Sequence, residues 1–323
     1  MSVAPAQPPV TSTDPETLGW MRGFPPAPDR TITFQDGSFR SFPELRWAWS
    51  NIRQLVPTVN VWRGAGPASV LPREDHDIGA VGSTTMDGRP MTFEKMLEET
   101  YTDGIAVLHR GRLIYERYFG ALKPHKPHIG MSVTKSFTGV LAGILVAEGK
   151  IDPQAPVTDY VPELKASAFG DARVHEVMDM TTGLAYTEVY TDKNSDVWGL
   201  RRANGMAPIP PDYDGPTTIF DFLVAQKKQG EHGKAVAYKT VNTDVLAWIC
   251  RRAQRYDAVR SALRAHLAAD GCGGGRILSR RPHRHRERRR RSLHHAARSR
   301  PLRRDHAQSR PLQRPPDRAF TGR

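Results

Sequence analysis

Cysteine is nearly missing from this chain: only two occur, Cys250 in an apolar run and Cys272 in a glycine cluster. Two isolated thiols exclude a disulfide framework and offer no cysteine pair with metal-ligand spacing. Uninterrupted apolar runs of about 18 residues are missing too. The opening MSVAPAQPPVTSTDPETLGW has neither a basic start nor an apolar stretch. A soluble, cytoplasmic protein without membrane contact is therefore expected. Lysine is missing from residues 276–323, where 17 arginines stand against three acidic residues, a net +14. The whole 323-residue chain has a formal charge of +13, so residues 1–275 carry −1. The basic balance belongs to the last stretch alone. It comes without aromatic interleaving, zinc spacing or a recognition helix, so it supports nonspecific adhesion to nucleic acid and no specific recognition.

The chain reads in three parts. Residues 1–95 are rich in Pro, Gly and Trp and lack a long helical period, which predicts an irregular extension packed on a larger body, with 39–57 either holding a short helix or burying its aromatics against a neighbour. Residues 96–272 hold the body. Phe93, Met96 and Leu97 mark one helix face, and β-rich runs at 105–109 and 113–119, separated by Arg110 and Gly111, predict an antiparallel hairpin. A helix over about 132–148 follows, with a broad apolar stripe and Gly149 as its C-cap. Further helices are predicted near 174–178, 217–229 and 243–251, the last with a continuation over 256–268, while residues 188–216 read as a loop. A hairpin followed by a helical block is an α+β arrangement. No later strand pair is legible to complete the sheet. Residues 273–323 repel one another in blocks such as RPHRHRERRRR and are expected to be disordered and to contribute no strand. A lysine-free run of Arg, His, Pro, Ser and Ala is also what high-GC coding sequence yields in a wrong frame, so a frameshift product is expected there.

The chemistry gathers where a loop carrying His125 and His128 meets the apolar helix. Ser132 and Lys135 lie three residues apart, which puts both side chains on one helical face with Cβ atoms about 5–6 Å apart. A serine hydroxyl becomes nucleophilic when a base takes its proton, and a lysine can be that base when burial or a nearby cation favours its neutral form. The pair also fits a plainer reading, Ser132 as a helix cap and Lys135 as a solvated cation. His125 and His128 have no carboxylate at metal-site spacing and read as loop residues; Asp103, Asp152 and Asp159 read as cap or turn residues.

The run MSVTKSFTGVLAGILVAEGKIDPQAPVTDYVPEL resembles the first signature of the serine β-lactamase and penicillin-recognising superfamily, and DARVHEVMDMTTGLAY resembles the segment after it. Within that superfamily the chain is most similar to the 6-aminohexanoate-dimer hydrolase group and related esterases of class C β-lactamase fold. The resemblance implies a β-lactamase/transpeptidase-like fold, an antiparallel sheet with a helical block, whose C-terminal part is missing or replaced here. It implies acyl transfer through Ser132 and Lys135, with Tyr238 of AYKTVNTDVLAWI relaying a proton; a structural aromatic is the alternative for Tyr238. Thr240 stands where many relatives have the Asn of Tyr-x-Asn and becomes a substrate-binding candidate, as does Tyr190, which could equally be an exposed loop aromatic. Asn242 is expected to order the helix after it. Small amides or esters are the implied substrates, a carboxylesterase or β-lactamase the enzyme alternatives, and an inactive homologue a further one. No cofactor or metal is implied, and homodimerisation stays open. The late strand that would supply a second oxyanion donor is not found in the sequence.

Overall fold

The computed structural model describes residues 8–62, 65–254 and, for the backbone alone, 276–279. The hairpin falls where the sequence puts it: β-strands at Gly104–His109 and Arg112–Tyr118 pair antiparallel. Arg110 and Gly111 turn the chain with φ of 50° and 76°. Positive φ at both central positions matches the right-handed twist of the two strands, and Gly111 adopts it without a Cβ penalty.

In chain order the helices are α1 (Pro15–Leu18), α2 (Leu45–Asn51), α3 (Phe93–Glu99), α4 (Thr134–Ala147), α5 (Val157–Tyr160), α6 (Val174–Met178), α7 (Asp196–Ala203), α8 (Ile219–Val224) and α9 (Thr240–Ala253). The strands are β1 (Thr58–Val61), β2 (Gly82–Thr84), β3 (Pro90–Thr92), the hairpin pair β4 and β5, and β6 (Arg276–Ser279). They form three two-stranded antiparallel sheets, β1 with β6, β2 with β3 and β4 with β5. β6 lies inside the arginine-rich stretch, so the expectation that this stretch contributes no strand fails at those four residues. Their backbone pairs with Thr58–Val61 in register from Thr58 opposite Ser279 to Val61 opposite Arg276. The continuation of the last helix over 256–268 lies outside the described residues.

The main core belongs to the helical block. α4 contributes Leu141, Ala142 and Leu145, which meet Val241, Val245 and Ile249 of α9 and the buried faces of α5 to α8. Leu145, Val241, Val245 and Ile249 are all fully buried, and side chains of this size contribute about 1.5–3 kcal/mol each when removed from water. α4 stops where expected. The Gly149 amide donates to the Val146 carbonyl and the Lys150 amide to that of Leu145, with Gly149 at φ 69°, a Schellman ending that an L side chain would strain.

The opposite stripe of α4, Ser136, Val140, Gly143 and Ala147, is exposed, as is Val133 just before the helix. Residues 72–76, unrecognised in the sequence, lie parallel along the outer edge of β5, with Leu113 donating to the Pro72 carbonyl and Glu74 and His76 donating back. Among the described residues, β4 has β5 as its one strand neighbour. A second cluster, Ile32, Phe39 and Ala48 with Trp20, Phe34 and Trp47 against it, forms among the first 55 residues, and Met206 packs against it too. No helix among the described residues is long and apolar enough to cross a membrane.

Candidate active site

The turn before α4 sets the geometry. Met131 has φ 41°, a left-handed conformation that costs a non-glycine residue about 1–3 kcal/mol and is typical of positions where function overrides local preference. Met131–Val133 form a 3-10 turn, and the Val133 amide donates to the Gly130 carbonyl. The helix proper begins at Thr134, two residues later than the sequence suggests, so Ser132 sits in the entry turn and is exposed to solvent. Lys135, in the first turn and half-buried, donates from Nζ to Ser132 Oγ at 3.0 Å. Three-residue spacing therefore brings the two groups into contact across the join between the two helical forms.

The loop leading into this turn is anchored from behind. Ile129 donates its amide to the Trp49 carbonyl on α2, and His128 packs edge-on to the Trp49 ring at 6.0 Å. His128 Nε2 lies 3.3 Å from Asp103 Oδ2, while Asp103 Oδ1 takes the Nε of Arg46 at 3.4 Å. Arg46 is only 1% exposed and also donates to Thr13. Asp103 is thus the anion between a buried guanidinium and an imidazole, which corrects its reading as a turn residue and gives His128 the carboxylate that spacing alone did not reveal. Asp152 does cap a turn, accepting from the Gln154 amide.

The hydrogen bond to Asp103 holds His128 above the usual imidazole range, against the opposing effect of burial. Protonated His128 therefore stabilises the fold fully below about pH 6.5, and that contribution is lost as pH rises through the raised value. Urea unfolding of the parent and His128→Gln should show a stability gap at pH 5.5 that shrinks by pH 9. An equal gap at both would remove the ion pair from the account.

On the other side stands Tyr238. Its ring centroid is 5.4 Å from Lys135 Nζ, and the residue is 53% exposed, so it borders the open side of the site. Lys239 turns away, donating to the Leu184 carbonyl at 2.5 Å, and burial pulls its ammonium below the ordinary lysine range. Thr240 opens α9. Its amide donates to Glu188 Oε2 at 2.8 Å and its hydroxyl to Glu188 Oε1 at 2.6 Å. Tyr190 donates its hydroxyl to the same Oε1. Burial first, then the bond to Glu188 and its charge, push the Tyr190 phenol up to about 12.

The structure thus joins the two substrate-binding candidates through Glu188, a residue the sequence reading passed over. Nothing in the string TEVYTDKN marks this Glu as more than a polar loop residue; only a partner fifty positions away does. Asn242 is fully buried, and its Oδ1 accepts from Thr182 at 2.7 Å. It ties the first turn of α9 to the loop after α6 and does not reach the open site. His125 makes none of the contacts that organise the turn.

A family profile described as Beta-lactamase matches residues 92–314. The chain belongs to the beta-lactamase family. Among curated proteins, this beta-lactamase-family chain is 37% identical over 238 residues to the 6-aminohexanoate-dimer hydrolase of Paenarthrobacter ureafaciens, covering 72% of the present chain and 58% of the relative. Among solved structures, it matches a Bacillus anthracis protein assigned as a 6-aminohexanoate-dimer hydrolase with a TM-score of 0.66 and 26% identity, covering 76% of this chain and 62% of that one. The α+β fold expected from the sequence is thereby borne out. The chain spans about three-fifths of the length of each relative. The profile match continues into the arginine-rich stretch as far as residue 314.

Proposed function

We propose that the protein is a serine hydrolase that forms an acyl-enzyme on small linear amides or esters. The observation that carries this reading is the 3.0 Å contact between Lys135 Nζ and Ser132 Oγ, at a solvent-open turn with a left-handed residue just before the serine. Along that line the serine proton passes to the amine while Oγ attacks the carbonyl carbon. The carbonyl oxygen, now anionic, takes the Ser132 amide at the entry of α4, where the helix dipole also favours negative charge. Tyr238, beside the amine, returns the proton to the leaving nitrogen or oxygen. Water then attacks the ester and releases the acid. Glu188 is a positioning residue in this scheme, fixing Thr240 and Tyr190 on the substrate side.

In support, both relatives are named as hydrolases of a 6-aminohexanoate dimer, and residues 131–164 hold the motif that resembles the superfamily's first signature. We assign the chemistry to residues 96–272, with the preceding 95 residues as support and the arginine-rich stretch taking no part in it. The test is covalent labelling by a fluorophosphonate probe. One equivalent is expected on Ser132, with the Ser132→Ala protein unlabelled while its circular dichroism stays the same. Labelling of Ser132→Ala at the parent rate would overturn the assignment. Comparing turnover of linear amide dimers, short aryl esters and cephalosporins then separates amidase, esterase and β-lactamase activity.

A further inference from the structure

Beside the candidate site lies a group of cations without anions. Trp198 and Arg201 are three residues apart on α7 and so share a face. The Arg201 guanidinium carbon is 4.6 Å from the Trp198 ring centroid and 4.8 Å from that of Tyr190. Arg40 approaches the same Trp198 ring at 5.0 Å, and its Nη1 donates to the Met206 carbonyl at 2.6 Å. Burial, with repulsion from Arg201, holds Arg40 below the ordinary arginine range.

Among the described residues, no carboxylate oxygen lies within 4.0 Å of either guanidinium. The neighbouring acids are already engaged. Glu188 accepts three bonds from Thr240 and Tyr190, and Asp196 takes the amide and hydroxyl of Thr187. Arg201 therefore keeps a planar fork of donors that no side chain of the described residues answers, and such a fork matches a carboxylate in bidentate geometry.

Its position gives the charge a use. Tyr190, whose ring Arg201 covers, shares Glu188 with Thr240; Thr240 follows Tyr238 by two residues; and Tyr238 stands over the Lys135 amine. Tyr190 and Tyr238 are both about half exposed, at 48% and 53%, so a flexible ligand can run along them from Ser132 towards Arg201.

We infer that Arg201, stacked on Tyr190, is a specificity residue that binds a carboxylate carried by the substrate several bonds from the scissile carbonyl. The substrate class is then linear amides or esters with a free acid at the far end. This rests on the serine-hydrolase reading above, and equilibrium binding tests it independently of turnover.

The probes are 6-acetamidohexanoate and its neutral methylamide, titrated into the full chain while Trp fluorescence is followed. The anion is expected to bind at least tenfold more tightly than the neutral compound at low salt, with the preference fading as salt rises. Arg201→Met should reduce that preference to less than twofold, Arg201→Lys should keep part of it, and Arg53→Met, an exposed arginine elsewhere, should keep all of it. Equal binding of the two probes by the parent, no binding of either, or an undiminished preference in Arg201→Met would each overturn the inference. A carboxylate preference without fluorophosphonate labelling of Ser132 would sink the serine mechanism and leave this subsite standing. Labelling without the preference would do the reverse.

Discussion

Lys135→Met is expected to lower the rate of fluorophosphonate labelling by about 10²–10⁴-fold, the usual contribution of a positioned base. Methionine keeps most of the half-buried aliphatic stem, so the α4 face changes little, but nothing remains to take the serine proton. Lys135→Arg decides between base and mere charge. A guanidinium keeps the cation beside Ser132 and does not deprotonate in proteins. If Lys135 works as the base, Arg fails as badly as Met. If it serves only as a positive neighbour to the oxyanion, Arg restores most of the rate. Second-order labelling constants for the three proteins distinguish these outcomes, and a Met variant within tenfold of the parent would remove Lys135 from the proton path.

The second large effect is expected at Glu188. Glu188→Gln preserves shape, but one end of the side chain becomes a carboxamide NH2 group, which donates and does not accept hydrogen bonds. In one amide orientation the Thr240 amide faces that NH2 group; in the other, the Thr240 and Tyr190 hydroxyls do. Hydrogen bonds to a charged partner contribute about 1.5–3 kcal/mol, so the start of α9 and the Tyr190 loop both loosen. Labelling of Ser132 should slow by about tenfold or more, because Tyr238 sits just ahead of that helix start.

A second readout separates positioning from simple destabilisation. The Tyr190 phenol, at about 12 in the parent, should titrate lower once the carboxylate that holds its proton is neutral. Ultraviolet titration, with Tyr190→Phe to assign the transition, measures this. A lowered Tyr190 value with an unchanged labelling rate would leave Glu188 a structural tie and nothing more.

How much of this could be read from the amino-acid string depended on whether the governing contact was local. The hairpin, the helix carrying Lys135 and the short helix Val174–Met178 announce themselves through periodicity and punctuation within a dozen residues. Ser132 and Lys135 meet because helical spacing is itself local. α7 was legible in principle, since Val197, Leu200 and Ala203 recur every third residue behind Ser195 and Asp196. The surrounding Asp, Lys, Asn and Pro residues outweighed that signal. The pairing of residues 72–76 with β5 has no such trace, because a single extended segment on a sheet edge needs no alternation of its own. Glu188 and Asp103 escaped for a related reason. Each carboxylate has a donor far away in sequence, Thr240 at 52 positions from Glu188 and Arg46 at 57 from Asp103, and no window reaches that far.

The buried Arg46 has one more consequence, for the continuity of the chain. It grips Asp103, while Trp49 holds Ile129, Arg40 reaches Met206, and Pro8 takes the Tyr101 hydroxyl. Four separate ties thus bind the first 62 residues to the hairpin and the helical block, and none of them runs through the mostly exposed link at 65–71. A peptide bond cut there would leave two pieces that stay together, with the turn bearing Ser132 still braced from behind by the severed half.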